Sequence, residues 1–296
     1  MSKQFSIIIP AFNEEENVPT LLDDINSYFQ EIEEVEVVIV DDGSYRELSE
    51  YIKVDAYDFE LKIIRNKYNL GQSKSIEIGL EAINSNLVGL IDSDCQNPPS
   101  ELRKAYDIYK NNDVDAVVSY RKNRQDDLLR KSISVFANSL LKIMTKSKFK
   151  DLGSSIKVIK KECLVSITFE GDMHRFISPM LKVRGFKILE IEVSHSKRKF
   201  GESKYGFNRI VPVLVDGILF FLTNGFTRPS KYGIGKLSLI LLLVSFMLNI
   251  VVVLQKINSS VFVHRNPLFI IGMVFLLLSI QIFSQVIKLN KDYWGA

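Results

Sequence analysis

The sequence contains little of what disulfide-rich, zinc-binding or nucleic-acid-binding proteins need. It has two cysteines, three histidines and one tryptophan among 296 residues. Cys95 and Cys163 do not stand at metal-ligand spacing, so we expect neither a disulfide framework nor a cysteine-based metal site, and the composition suits a reducing compartment. The net charge of +3 is too small to indicate a nucleic-acid partner.

The sequence also lacks an N-terminal apolar segment long enough for the core of a secretory signal. The first apolar stretch is ended by Pro10, and no small-residue cleavage site accompanies it. We therefore expect the N-terminal part of the chain to remain in the cytoplasm.

Long apolar runs are confined to the C-terminal third of the chain. Residues 237–254 and 267–287 contain no charged side chain, and each run is long enough to cross a bilayer as a helix. Residues 210–227 are apolar but are interrupted by Asp216 and Asn224. This pattern favours a helix lying in the membrane interface, with a third span as the alternative.

The orientation of these spans is predicted from the globular domain, because the loop charges decide little. Basic residues lie outside both spans, but the connecting loop also carries two of them, so the positive-inside asymmetry is weak. With the globular domain in the cytoplasm, we expect a multi-pass inner-membrane protein with both termini inside. The predicted divisions are a globular domain over 1–208, an interfacial segment over 209–230 and a membrane domain over 231–296.

The N-terminal two thirds of the chain alternate short β-branched runs with helical segments. This alternation predicts an α/β fold with a mostly parallel, doubly wound sheet. Asn13 and Ser100 stand where helix caps are expected. Strands are predicted at 5–9, 35–40, 61–65, 87–91, 116–119, 156–159 and 187–193, and helices at 14–30, 73–84, 100–111 and, as an excursion, 121–145.

Polar residues follow each of the first four predicted strands. They lie in segments 10–14, 41–44, 69–71 and 92–94. The carboxyl ends of parallel strands meet at one edge of a sheet, where open α/β sheets bind their ligands. Mg²⁺ is commonly held by one or two carboxylates plus substrate phosphates, which the acidic pair in 92–94 could supply. Taken alone, that pair is more consistent with a polar turn after a strand. Together, the four segments indicate a nucleotide with a metal on its diphosphate.

Five motifs together resemble the family 2 glycosyltransferases with a GT-A fold. The motifs are P-A-F-N-E-E-E-N, V-D-D-G-S, N-x-G, D-S-D-C-Q-N-P-P and, far downstream, R-K-F-G-E-S-K-Y. Within that family the chain is most similar to the polyprenyl-phosphate branch, which includes dolichol-phosphate mannose synthases and bacterial bactoprenol glucosyltransferases. The resemblance extends over about residues 5–205, and the paired C-terminal spans are similar to those of bacterial members.

The resemblance implies an inverting, metal-dependent transfer of one hexose from a nucleotide-diphosphate sugar to a polyprenyl phosphate. UDP is favoured over GDP, the cation is Mg²⁺ or Mn²⁺, and the acceptor is undecaprenyl or dolichyl phosphate. The product would be a lipid-linked sugar for modification of cell-envelope glycans. A homo-oligomer would orient several such domains on one bilayer.

The resemblance also implies roles for individual residues. Asp92 and Asp94 match the metal ligands, and Asp151 is left open as a base or as a residue that orients the sugar. The implied nucleotide-sugar-binding residues are Pro10, Phe12, Glu14, Asp41, Asp42, Asp92, Ser93, Gln96 and Arg121. The implied acceptor-phosphate residues are Arg130, Arg198, Ser203 and Lys204. The implied catalytic residues are Asp94, Asp151, Arg198 and Lys204.

His174 and His195 lack partners at zinc-ligand spacing. His174, with Asp172 and Arg175, either shapes the sugar or acceptor site or belongs to local structure.

Three other functions compete with the implied one. A processive polysaccharide synthase is disfavoured because the chain lacks a Q-x-x-R-W motif. A non-catalytic nucleotide-sugar-binding membrane scaffold and a sugar-protein transferase with a soluble acceptor are the others.

Overall fold

The structure is a computed structural model, and it forms two compact units, Met1–Gly217 and Ile218–Ala296. The described residues are 3–121, 149, 151, 154–167, 169, 171–194, 230–259, 262–263 and 266–294. The predicted excursion after residue 121 and the predicted interfacial helix at 210–227 lie outside them.

The first unit is built on a seven-stranded sheet. Its strands are β1 (Phe5–Ala11), β2 (Val35–Asp41), β3 (Glu60–Arg65), β4 (Leu87–Leu90), β5 (Ala116–Arg121), β6 (Lys157–Lys160) and β7 (Ile188–Val193). Their order in the sheet is β3-β2-β1-β4-β6-β5-β7. β6 runs antiparallel to both β4 and β5, while the other neighbouring pairs are parallel. The mostly parallel α/β sheet predicted from the sequence is therefore confirmed.

Helices cover the sheet, and short 3₁₀ turns connect some of the elements. Gly79 lets the helix that contains it approach β1 closely, because a Cβ at Gly79 would lie 2.5 Å from Ile8 Cγ2. The helices are α1 (Val18–Phe29), α2 (Gln72–Ala82), α3 (Pro99–Lys110), α4 (Lys161–Val165) and α5 (Ile177–Val183). The 3₁₀ turns are Leu48–Glu50, Val54–Ala56 and Met173–Phe176.

The predicted start of the first helix was wrong. The helix begins at Val18 rather than at Glu14, and Asn13 does not cap it. Asn13 has a positive φ of 51° and binds the loop after β2 instead. The backbone N–H of Val18 donates to the Glu14 carbonyl, so residues 14–17 form a turn ahead of the helix. Tertiary contacts of the Asn13 side chain override its local capping preference.

Ser100 likewise does not cap α3. The helix begins at Pro99, with Pro98 as the residue before it, so Ser100 lies inside the first turn. Proline is well suited to the first helical position, because its missing N–H would have no partner within the helix. The two prolines therefore set the start of this helix one residue earlier than predicted.

A buried carboxylate lies near the amino-terminal end of β2, away from the strand ends that carry the polar motifs. Glu36 is fully buried and accepts hydrogen bonds from Ser6 Oγ, Lys62 Nζ at 2.9 Å and the Asn84 backbone N–H at 2.6 Å. Burial raises the pKa of Glu36, but the hydrogen bonds from Ser6, Asn84 and Lys62 outweigh it and hold the pKa below its ordinary value.

Acidification is expected to weaken the fold through Glu36. Because the pKa of Glu36 is depressed by folding, its contribution to stability is present above the unfolded-state pKa and is lost as pH falls through the folded-state pKa. Glu36→Gln should lower the free energy of unfolding at neutral pH by about 1–3 kcal/mol. Between pH 7 and pH 3, the melting temperature of the variant should fall less than that of the unaltered protein. An equal fall of the melting temperature in both proteins would contradict this role of Glu36.

The second unit is a pair of long apolar helices, α6 (Ser230–Ser259) and α7 (Pro267–Trp294). Its segments Gly235–Ile257 and Pro267–Ser284 are long and apolar enough to cross a membrane, which confirms the two predicted candidate spans. Ser245 Oγ donates to the Gly272 carbonyl at 2.8 Å, and the hydroxyl of Ser279 donates to the Ser238 carbonyl at 3.0 Å. Small hydroxyl residues thus allow close packing of the two helices.

Candidate active site

The carboxyl ends of β1, β2, β4 and β5 meet at one edge of the sheet. Because β6 runs in the opposite direction, it begins at this edge rather than ending there. The loops after β1, β2 and β4 and the segment before β6 therefore converge. This is the edge at which open α/β sheets bind their ligands.

Asp42 holds the loop that follows β3. Its Oδ1 accepts hydrogen bonds from Asn66 Nδ2 at 2.8 Å and from the Leu70 backbone N–H at 2.9 Å, and its Oδ2 accepts from the Gly71 N–H at 2.8 Å. Only 4% of Asp42 is exposed. The carboxylate thus closes the N-x-G loop, and its predicted contact with a nucleoside stays a prediction.

Asp41 has a similar structural task at the end of β2. Its Oδ1 accepts from the Ser44 N–H at 2.9 Å, and its Oδ2 accepts from Arg65 Nη1 at 3.2 Å. Arg65 also donates to the Ser44 carbonyl at 2.9 Å. Asp41 is buried, so this ion pair fixes the D-D-G-S turn from its buried side.

The loop after β1 is joined to the turn after β2. The Asn13 N–H donates to Ser44 Oγ at 2.8 Å, and Asn13 Oδ1 accepts from the Tyr45 N–H at 2.8 Å. The rings of Phe12 and Tyr45 lie 6.2 Å apart at an angle of 51°. Tyr45 is 90% exposed, so this aromatic pair lies at the solvent-exposed surface of the ligand-binding edge.

Glu14 and Pro10 were predicted to line the nucleoside pocket. Pro10 lies next to the last residue of β1 and is partly buried. Glu14 is buried, and its Oε2 accepts a hydrogen bond from Asn17 Nδ2 at 2.6 Å. Both residues lie at the ligand-binding edge, but the Glu14 carboxylate is turned toward the start of α1.

The acidic pair follows β4 in a tight loop. Asp92 Oδ1 accepts from Gln72 Nε2 at 2.7 Å, and Asp94 Oδ1 accepts from the Gln96 backbone N–H at 3.2 Å. Ser93 is buried between the two carboxylates. Cys95 has a φ of 57°, and its thiol donates to the Asn17 carbonyl at 3.4 Å. The loop is therefore held from both sides.

The donor set of this loop fits a hard divalent cation. The residues that the structure describes contain no group of three or more Asp, Glu, His or Cys side chains that could hold a metal ion. Asp92 and Asp94 alone supply two carboxylates, which is the usual protein share of a Mg²⁺ site completed by substrate phosphates. A cation here would therefore bind together with a phosphorylated ligand.

Arg121 and Asp151 form an ion pair at the end of β5. Arg121 Nε donates to Asp151 Oδ2 at 2.7 Å, and Arg121 Nη2 donates to Oδ1 at 3.3 Å. The side chains are 15% and 5% exposed, respectively. Such a two-point contact fixes the plane of the carboxylate and the orientation of the guanidinium.

Sequence reasoning missed several residues of this site. Gln72 and Ser73 are the first two residues of α2, and the Gln72 side chain donates a hydrogen bond to Asp92. Ser73 Oγ lies 2.9 Å from His174 Nδ1 and accepts a hydrogen bond from the His174 backbone N–H at 3.1 Å. His174 therefore docks the 3₁₀ turn onto α2. Lys157 is also buried at this edge. In the sequence, only its position as a charged residue within an apolar strand could have indicated a role in the site.

Four predicted residues lie outside the residues that the structure describes. They are Arg130, Arg198, Ser203 and Lys204. Cys95 and Cys163, for which no disulfide was expected, are both buried thiols. The part of the site that the structure describes therefore contains the residues predicted to bind the nucleotide sugar. It comprises the strand-end loops, the acidic pair and the Arg121–Asp151 ion pair.

A mixed sheet with an antiparallel β6 between β4 and β5, and an acidic pair after β4, is the GT-A fold of glycosyltransferases. Residues 6–165 match the family described as glycosyl transferase family 2. The chain belongs to this family, which confirms the resemblance drawn from its motifs.

Two relatives match along most of the chain. A dodecaprenyl-phosphate galacturonate synthase from Rhizobium johnstonii is 30% identical over 302 aligned positions, covering 96% of this chain and 86% of that protein. An undecaprenyl-phosphate 4-deoxy-4-formamido-L-arabinose transferase from Photorhabdus laumondii is 30% identical, covering 78% and 72%. Among solved structures, glucosyl-3-phosphoglycerate synthase from Mycobacterium tuberculosis in complex with Mn²⁺, UDP and phosphoglyceric acid has a TM-score of 0.59 at 15% identity, covering 75% and 78%.

Proposed function

We propose that this protein is a membrane-anchored, inverting glycosyltransferase that moves one sugar from a UDP-sugar to a polyprenyl phosphate. The observation that carries the proposal is the Asp92–Asp94 loop at the ligand-binding edge, in a chain that also has two membrane-length helices. The two relatives named after polyprenyl-phosphate products or substrates support the acceptor class. The product is a lipid-linked sugar for cell-envelope glycans.

The acidic pair would bind the donor diphosphate through Mg²⁺ or Mn²⁺. The cation would supply Lewis-acid stabilisation to the departing diphosphate. Asp92 and Asp94 are its protein ligands, and Gln96 and Ser93 lie in the same loop. The Mn²⁺ and UDP in the solved structure with the same fold support a divalent metal and UDP as the first choice.

The acceptor phosphate would act as the nucleophile without a dedicated base. A phosphomonoester has a second pKa of about 6, so it is mostly dianionic at neutral pH. Its oxygen attacks the anomeric carbon as the bond from that carbon to the diphosphate oxygen breaks, which inverts the configuration. Asp151, held by Arg121, would orient the sugar from behind the pocket.

The acceptor side is assigned to residues beyond the described part of the site. They are Arg130, Arg198, Ser203 and Lys204. Arginine and lysine supply fixed positive charge to phosphate oxygens, the electrostatic contribution that usually dominates such reactions. We place the globular domain and both termini in the cytoplasm, with the domain divisions predicted from the sequence.

The test is a transfer assay on membranes that contain the full-length protein. Undecaprenyl phosphate, Mg²⁺ or Mn²⁺ and a panel of UDP- and GDP-sugars are supplied, including a uronic acid and a pentose because of the relatives' names. We expect one donor to yield a lipid carrying a single sugar, and EDTA to suppress the reaction. No lipid-linked sugar from any donor would contradict the proposal, and a polymeric product would indicate a processive synthase.

A further inference from the structure

The reversed direction of β6 brings a lysine to the donor-binding edge. Lys157 is the first residue of β6 and pairs in register with Leu90 of β4 and Val118 of β5. Leu90 ends β4, two residues before Asp92, and β5 ends at Arg121. Lys157 therefore starts its strand between the two elements that supply the acidic loop and the Arg121–Asp151 pair.

The Lys157 side chain is buried within the protein. Its ammonium donates to the Ser154 carbonyl, and only 4% of the residue is exposed. The pKa of Lys157 is lowered to about 8, mainly by burial; the carboxylates of Asp92 and Asp151 oppose this shift, and the guanidinium groups of Arg121 and Arg175 add to it. A buried cation is costly for the fold, so a role in the site is the simpler account of its position.

The segment that Lys157 holds is connected to both halves of the site. Ser154 Oγ hydrogen-bonds with Ser119 Oγ, and Ser119 Oγ donates to the Ile156 carbonyl at 2.7 Å. On the other side, Asn97 Nδ2 donates to Ser155 Oγ at 2.8 Å. The segment thus links β5 to the loop that continues from the acidic pair.

We propose that Lys157 is a positioning residue that sets the acidic loop and the Arg121–Asp151 pair before the donor binds. Its ammonium anchors the Ser154 carbonyl and balances the negative charges of Asp92 and Asp151. Without this cation, the segment 154–156 loses its internal anchor, and Asp92 and Asp151 lose a nearby positive charge. The inference rests on the proposed function, because it concerns the binding of a nucleotide sugar.

The test compares Lys157→Met with Lys160→Met in the full-length protein in detergent. Lys160 lies on the same strand, but it pairs with Asp115 at 2.7 Å, away from the donor-binding edge. Three quantities are measured: the affinity for UDP with Mn²⁺ by calorimetry, the KM and kcat for the sugar donor, and the melting temperature. The KM for polyprenyl phosphate serves as an internal control.

Lys157→Met should weaken Mn²⁺-dependent UDP binding and lower kcat/KM for the donor by about 10- to 100-fold, the scale of losing a residue that supports metal ligands. The melting temperature should change little, because the desolvation cost removed with the buried charge offsets the lost hydrogen bond to the Ser154 carbonyl. Lys160→Met should leave binding and turnover unchanged. Unchanged or tighter Mn²⁺–UDP binding in Lys157→Met would overturn the inference, as would a loss of activity that follows a lower melting temperature.

The same experiment separates this inference from the proposed function. If the unaltered protein binds UDP with Mn²⁺ but transfers no sugar to any lipid phosphate, the proposed function fails. In that case the affinity difference between Lys157→Met and Lys160→Met still decides whether Lys157 positions the donor site. If the unaltered protein transfers sugar and Lys157→Met binds and reacts equally well, the inference alone fails.

Discussion

Asp94→Asn is expected to abolish sugar transfer while the protein stays folded. The substitution keeps the shape of the side chain, and the amide oxygen can still accept the hydrogen bond from the Gln96 N–H. What it removes is one of the two negative charges offered to a divalent cation. We expect turnover to fall by about a thousandfold or more, the scale of losing a principal electrostatic contact in a transition state.

The matched control for this variant is Asp107→Asn. Asp107 lies on α3, where it pairs with Arg103 at 3.0 Å and is half exposed. The control makes the same chemical change near the C-terminal end of α3, outside the acidic loop, and should retain full turnover. Both variants are assayed for transfer and for melting temperature. Full metal-dependent activity in Asp94→Asn would contradict the metal assignment.

Gly43→Ala is expected to damage both the fold and donor binding. Gly43 has a φ of +74°, and a Cβ at this position would lie 2.7 Å from the carbonyl carbon of Tyr68. The alanine must therefore bear an unfavourable backbone conformation and push apart the two loops that Asp42 joins. We expect a loss of about 3 kcal/mol or more in the free energy of unfolding.

Gly71→Ala separates the two causes of this loss. Gly71 also has a positive φ, +92°, but among the described residues nothing lies within 4 Å of a Cβ added there. Its alanine variant should lose about 1–3 kcal/mol, the cost of this positive-φ backbone conformation alone. Denaturant unfolding of the full-length protein measures both. Equal losses in the two variants would show that the contact with Tyr68 is not responsible.

The strands and the apolar helices could be predicted from local patterns. Continuous β-branched runs such as 35–40 and 5–9 are typical of strands buried on both faces, and β1 and β2 are such strands. The two uncharged runs in the C-terminal third predicted the candidate spans in the same way. In these segments hydrophobic burial is the main driving force for folding, and it can be recognised from the pattern of apolar residues along the chain.

The side-chain partners of the motifs could not be predicted in this way. The sequence indicates that Asp41 and Asp42 follow a strand, but not that their carboxylates hold Arg65 and the Gly71 N–H. Asn13 has the composition of a helix cap, yet its side chain binds the Tyr45 N–H across the edge. Each of these choices depends on a neighbour distant in sequence, and such contacts override local propensity.

By itself, the sequence determined the α/β class, the acidic pair after a strand, the membrane-length helices and the family. These follow from the period of hydrophobic residues and from the chemistry of residues adjacent along the chain. Only the tertiary structure decided that β6 runs antiparallel, and therefore that Lys157 and the Arg121–Asp151 pair share an edge with Asp92. Strand direction is set by how the chain returns to the sheet, and no local pattern of side chains records that path.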